Sequence, residues 1–262
     1  MGFADKFKNA VAQMEEHEDH TQAQSGANFK PIEAGPVRLR LIEYIELGKQ
    51  EKVYQGKKSF VDKVVLGFEL VFGPKLTPRE DGSPHIMRIT LTKSLNEKSG
   101  YYKLFRIMNA DGKAKVFPQL LGAGYRAEVV HITRGEGAEA KTYAGLRTED
   151  GGWTIRDLAY DDPNSGERVM LSCPEPVSEC RCFVWDYPDM VQWDSLFVDG
   201  EWEARDGKPA QSKNVWQLKI KGADNWPGSP MQELLFGSLD VGEAEKPERS
   251  SASEDPLAGA AI

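Results

Sequence analysis

Lys49, Lys52, Lys57, Lys58 and Lys63 crowd one short stretch of this chain, with Tyr54 and Phe60 set among them. Further along, Arg88 and Lys93 flank an alternating segment, Tyr102, Lys103 and Arg106 fall within a few residues, and Lys141 stands two residues before Tyr143. Side chains of these kinds suit a flexible polyanion that also carries flat rings. Lysine and arginine neutralise phosphates, and exposed aromatics cover base faces at about 1–3 kcal/mol per stacked base. Two or three such platforms with several phosphate contacts reach about micromolar affinity, roughly 8 kcal/mol. No catalytic group is needed. The competing reading of each residue is plain: solvated lysines on a hairpin, and aromatics packed in a core.

Enzymatic signatures are missing. The chain has no G-x-x-x-x-G-K-[ST] phosphate loop, no G-x-S-x-G elbow, no G-x-G-x-x-G following a strand and no H-E-x-x-H. Of the four histidines, His17 and His20 lie near the N-terminus, His85 follows a proline turn and His131 alternates with Val130 and Ile132; all read as structural. Glu69 is a carboxylate within a strand and lacks an obvious companion for two-metal chemistry. The three cysteines, Cys173, Cys180 and Cys182, are odd in number and have no second C-x-x-C, so they read as reduced thiols. The expectation is a non-enzyme without cofactor or metal.

The charge is divided. The whole chain of 262 residues is −8, yet Gly35 to Arg134 holds 18 Lys+Arg against 10 Asp+Glu, a net of +8. A basic span within an acidic protein fits a polyanion-binding surface kept apart from a repulsive, soluble remainder. No apolar run approaches the roughly 20 residues that cross a bilayer, and the first residues lack the pattern of a secretion signal. The expected location is cytoplasmic.

The elements that must carry these residues follow from periodicity. VRLRLIEYIEL alternates, with Val37, Leu39 and Leu41 on one side and Arg38 and Arg40 on the other. A charged hairpin region centred on Gln55-Gly56 follows, and VDKVVLGFELVF makes a second strand whose Gly67 marks a bulge or a close approach. HIMRITLTKSL is a third strand. From Ser94 the pattern turns helical, with Leu95, Leu104, Phe105 and Met108 expected to be buried and only one of Tyr101 and Tyr102 facing inward. A short helical turn precedes a fourth strand over Tyr125–Thr133, and KTYAGLRTE gives a fifth. Phe68, Phe72 and Phe105 are expected in the core. Three strands, a helix and then two strands is the order of an OB-fold barrel; other small barrels and sandwiches share parts of it. The expectation is a mainly β chain with minor α: a five-stranded OB-fold-like barrel with helical and loop embellishments.

Around that barrel, residues 1–28 read as a short amphipathic helix or an arm, and 29–236 as the binding domain, its C-terminal part wrapping the barrel. Residues 237–262, with 2 Lys+Arg against 6 Asp+Glu and few bulky apolar side chains, read as a disordered acidic tail.

The segment RLRLIEYIELGKQEKVYQGKKSFVDKVVLGFELVF resembles the start of phage-encoded single-stranded-DNA-binding proteins with an OB-fold. ITLTKSLNEKSGYYKLF is similar to that family's passage from strand to helix, and LLGAGYRAEVVH to its turn into the next strand; together the likeness spans about residues 28–236. It implies a protein of an infected bacterial cytoplasm that coats single-stranded DNA without sequence preference during replication or recombination. It points to the Lys49–Lys63 hairpin, the strand around Arg88 and the strand around Tyr143. It also implies that the acidic tail recruits replication proteins and competes with DNA, although this tail has no terminal aromatic residue. A homodimer and an RNA preference stay open. The rival reading is a phage structural or adaptor protein that uses the same barrel to bind protein.

Overall fold

The computed structural model describes residues 31–77, 79, 81–135, 140–203 and 209–237. The N-terminal segment 1–28, and the acidic tail apart from its first residue, lie outside the described residues.

A curled antiparallel sheet is built from β1 (Gly35–Tyr54), β2 (Lys57–Phe72), β3 (His85–Thr92), β4 (Gly124–Arg134) and β5 (Lys141–Gly145), in the spatial order β3-β2-β1-β4-β5. Helix α1 (Gly100–Met108) and a 3-10 turn (Phe117–Leu120) lie between β3 and β4. This is the mainly β, OB-fold-like arrangement expected from the order of elements, with β3 and β5 at the two ends of the sheet. β1 and β2 are longer than the apolar pattern alone delimits. The segment taken as a charged hairpin loop is strand to its tip, and a two-residue turn closes it, with Gln55 at φ 49° and Gly56 at φ 74°. Both central residues at positive φ is the turn geometry that matches strand twist, and it accounts for the Gly.

The β1–β2 register slips three times, beside Arg38, between Leu41 and Glu43, and between Glu46 and Gly48. The first places an extra residue, Val71, in β2, and the other two place Ile42 and Leu47 as extra residues in β1, which turns the following β1 side chains over. The result is an unbroken buried run from 41 to 48 that feeds two cores, one on each face of the sheet. Inside the barrel, Leu39, Leu41, Leu66 and Phe68 meet Leu104 and Met108 of α1, and Phe117 packs against Tyr101 at 4.9 Å and Phe105 at 5.1 Å. Burying a side chain such as Leu104 contributes about 1.5–3 kcal/mol. The side chain of Ser99 caps α1 through the N–H of Tyr102, which sets Tyr101 inward and Tyr102 outward. Leu95 departs from expectation. It is 80% exposed, because the chain turns between Asn96 and Ser99 and the helix starts only at Gly100.

The outer core is made by the C-terminal third. β6 (Ala159–Asp161) and β7 (Arg168–Met170) form a ribbon; β8 (Arg181–Phe183) adds parallel to β1 at Glu43–Ile45. α2 (Met190–Ser195), the small β9 (Glu201–Trp202) and β10 (Gln211–Ser212) pair, α3 (Val215–Lys221) and α4 (Pro230–Phe236) follow. Phe183, Trp193, Trp216 and Trp226 close over Ile45, Leu47 and Val65, with Trp193 and Trp226 stacked at 5.9 Å. Three buried carboxylates tie this cover to the sheet. Glu69 accepts from the backbone N–H of Val177 (2.6 Å) and Ser178 (2.9 Å). Glu46 accepts from the Trp185 N–H, the Tyr44 hydroxyl and Lys93. Glu43 is held by Arg88 of β3 and faces Arg181 of β8 at 3.9 Å.

Candidate nucleic-acid interface

Lys49 and Gln50 are still tied to the C-terminal cover, Lys49 through Asp224 and Asn225 and Gln50 through the Lys219 carbonyl at 3.1 Å. Beyond them the β1–β2 pair projects as a ribbon, and four strand residues at about 3.3 Å each carry it about 13 Å outward. Because directly paired residues share a face and successive pairs alternate, the register sorts its side chains. Lys52, Tyr54 and Lys57 lie on one face, with Gln50, Ser59 and Val61; Lys63 stands at the base of that face and donates to the Glu51 carbonyl at 3.1 Å. Lys49, Lys58 and Phe60 lie on the other face with Val53, Glu51 and Asp62. There Lys58 pairs with Glu51 at 3.0 Å and Lys49 stands directly opposite Asp62, so the charges on that face balance. The first face carries cations and no carboxylate. Tyr54, 65% exposed, stands between its two lysines: one strand repeat from Lys52, about 6.6 Å, and directly across from Lys57, about 5 Å. The tertiary register thus separates Tyr54 from Phe60, two aromatics that the sequence groups together.

Arg88 and Lys93 sit elsewhere and are engaged. Arg88 makes a two-point ion pair with Glu43, at 2.7 and 2.9 Å, with Arg181 at 3.9 Å and the Trp216 ring 5.7 Å from the guanidinium. Lys93 reaches Glu46 at 2.7 Å. Burial works against the Lys93 ammonium, but the hydrogen bond and charge of Glu46 outweigh it and hold its pKa above the ordinary lysine value. These two cations serve the attachment of the outer core, and the face of β2–β3 near them lies under it.

Tyr102, Lys103 and Arg106 come together, as their helical spacing suggests. They line a cleft of about 630 Å³ between α1 and the turn at Gly151 and Gly152, which also holds Trp153, Arg156, Glu97 and Asp150. Hydrogen bonds from Thr148 and from the Gly152 N–H hold the Asp150 carboxyl below the usual carboxylate range. Lys141 and Tyr143 pair with Arg134 and Ile132, and so share the outward face of β4–β5 with them.

Two features were not legible in the sequence. Phe72, expected in the core, is 47% exposed, with the Arg38 guanidinium 4.5 Å from its ring centroid. Arg126 and Arg156, which carry no motif, lie in register beside Arg38. The only sequence signal is alternation, which places Arg38 on the outward side of its strand.

No protein-family model and no curated protein sequence matches this chain. Both ring nitrogens of His85 are engaged, by Arg79 and the Thr77 carbonyl, and His131 meets the Ile32 carbonyl at 2.8 Å. Among the described residues no group of three or more His, Cys, Asp or Glu is placed to hold a metal ion. The three thiols are free, and burial pushes all of them up, Cys182 to about 11, which leaves them protonated and weakly nucleophilic at neutral pH. Among the described residues no helix is long and apolar enough to cross a membrane.

Proposed function

We propose that this protein binds single-stranded DNA without sequence preference, neutralising phosphates with lysines and arginines and stacking bases on exposed aromatics. The setting we propose is phage DNA replication or recombination, following the family resemblance. The observation that carries the binding reading is the carboxylate-free face of the β1–β2 ribbon, where Lys52 and Lys57 flank an exposed Tyr54. Tyrosine between two cations within one strand repeat offers a base platform and two adjacent phosphate contacts. A flexible single strand can meet both, whereas the bases of a duplex are already stacked on each other. The C-terminal cover over the middle of the sheet directs such a strand to the ribbon and the α1 cleft.

The test is fluorescence anisotropy with labelled oligo-dT, duplex DNA and single-stranded RNA across a salt series. About five phosphate contacts give a log–log salt slope near −3.5. Steep, sequence-tolerant binding of oligo-dT, with duplex much weaker, is the expected result. No binding of oligo-dT at low salt, with or without the acidic tail, refutes the reading.

A further inference from the structure

Four outward-facing side chains from four neighbouring segments stand in one row across the sheet. Phe72 of β2 pairs with Arg38 of β1, Arg38 pairs with Arg126 of β4, and Arg126 bridges to Arg156, with backbone hydrogen bonds of 3.0 and 2.8 Å. Like charges directly opposite one another destabilise a sheet, and this row holds three. Nothing among the described residues neutralises them by an ion pair. Arg38 donates from Nη1 to the Ser172 carbonyl and hydroxyl, Arg126 from Nε to the Asp157 carbonyl, and Arg156 from Nη1 to carbonyls of its own turn. All of these partners are neutral, and each guanidinium keeps further N–H donors. Glu128 lines the same cleft, and the carboxylate of Asp157, the residue after Arg156, is paired with Arg168 at 3.0 Å.

The row floors a cleft of about 860 Å³, with Tyr160 and Leu171, on and beside the β6–β7 ribbon, among its other lining residues. Trp153 and Arg156 line both this cleft and the one beside α1, so the two adjoin. Guanidinium groups match phosphate oxygens in two-point geometry, and Phe72 adds an exposed ring at the end of the row. We infer that this cleft is a second phosphodiester-binding tract, in which a single strand lying along Tyr102, Lys103 and Arg106 continues past Arg156 onto Arg126 and Arg38. This rests on the single-strand reading above and extends it to a surface distant in sequence from the hairpin.

The test uses the full chain and labelled oligo-dT, comparing wild type with Arg126→Gln/Arg156→Gln and with Arg156→Gln alone, after a cooperative thermal transition shows that each variant is folded. Losing two phosphate contacts makes the salt slope shallower by about 1.4 and, with affinities converging near 1 M, weakens binding about 25-fold at 0.1 M salt. The exposed side chain of Arg156 is hydrogen-bonded only to carbonyls of its own turn, so it can be replaced while its backbone bridge to Arg126 is kept, and its loss alone lowers the slope by about 0.7 and the affinity about 5-fold. A folded variant with wild-type slope and affinity overturns the inference while leaving the ribbon reading intact. Absence of oligo-dT binding by the wild type refutes the single-strand reading itself, and this tract with it.

Discussion

The two faces of the β1–β2 ribbon give a controlled comparison. Lys52→Ala/Lys57→Ala and Lys49→Ala/Lys58→Ala each remove two positive charges from the same ribbon, so any effect of net charge alone is equal in both. The contacts differ. Lys52 and Lys57 share a face that has no carboxylate, whereas Lys58 is paired with Glu51 at 3.0 Å and Lys49 faces Asp62. If the first pair touches phosphates, its loss flattens the salt slope by about 1.4 and costs about 25-fold in affinity at 0.1 M salt. The second pair removes lysines already balanced by carboxylates, and its slope is expected to stay close to wild type. Tyr54→Ala adds a separate signature. It removes a platform worth about 1–3 kcal/mol, or about 5- to 150-fold, with the salt slope unchanged because no charge is lost. Anisotropy with oligo-dT over a salt series reads all three. Equal losses from the two double variants, or a larger loss from Lys49 and Lys58, refute the assignment of the binding face, and an unchanged Tyr54→Ala refutes stacking there.

Other consequences concern stability and the tail. Arg88→Ala strands the buried Glu43 carboxylate with only the more distant Arg181, and a cost of about 3–5 kcal/mol in urea unfolding is expected; a neutral result would show that the pair does not hold the outer core. Burial, then the charge of Glu46 beside it, holds the Tyr44 hydroxyl well above its ordinary value of 10.0. The unfolded chain therefore loses this proton near pH 10 while the folded chain keeps it, so stability present below pH 10 declines as pH rises past it. Tyr44→Phe should make that alkaline decline shallower by up to about 1.4 kcal/mol per pH unit, and an unchanged pH profile would remove Tyr44 as its source. Deleting residues 237–262 should tighten oligo-dT binding most at low salt, where the acidic tail competes best; equal affinities at low salt would end that idea.

The inner barrel was readable because it obeys local rules. Val37, Leu39 and Leu41 alternate, Gln55-Gly56 supplies the turn, and Leu104 and Met108 follow helical spacing. Gly67 was legible as a close approach, and the reason is now specific: a Cβ there would overlap the Glu43 carboxylate and lie 2.7 Å from Glu43 Cβ. The ribbon's extent was less legible because both of its faces are solvated, so KQEKVY shows no apolar alternation to mark a strand. Phe72 and Leu95 misled because an apolar side chain near the end of an element has no fixed partner until the neighbouring segments are placed.

By itself the sequence determined the succession of the five main strands and the helix along the chain, the basic span within an acidic chain, and the clustering of lysine with tyrosine around the first hairpin. These are properties of composition and of periods two and 3.6, which the backbone geometry imposes locally. Tertiary structure decided which cations are available. Bulges, register and the C-terminal cover are set by contacts between residues far apart in the chain. They bind Arg88 to Glu43 and Lys93 to Glu46, put Tyr54 and Phe60 on opposite faces, and bring Arg38, Arg126 and Arg156 into a single row.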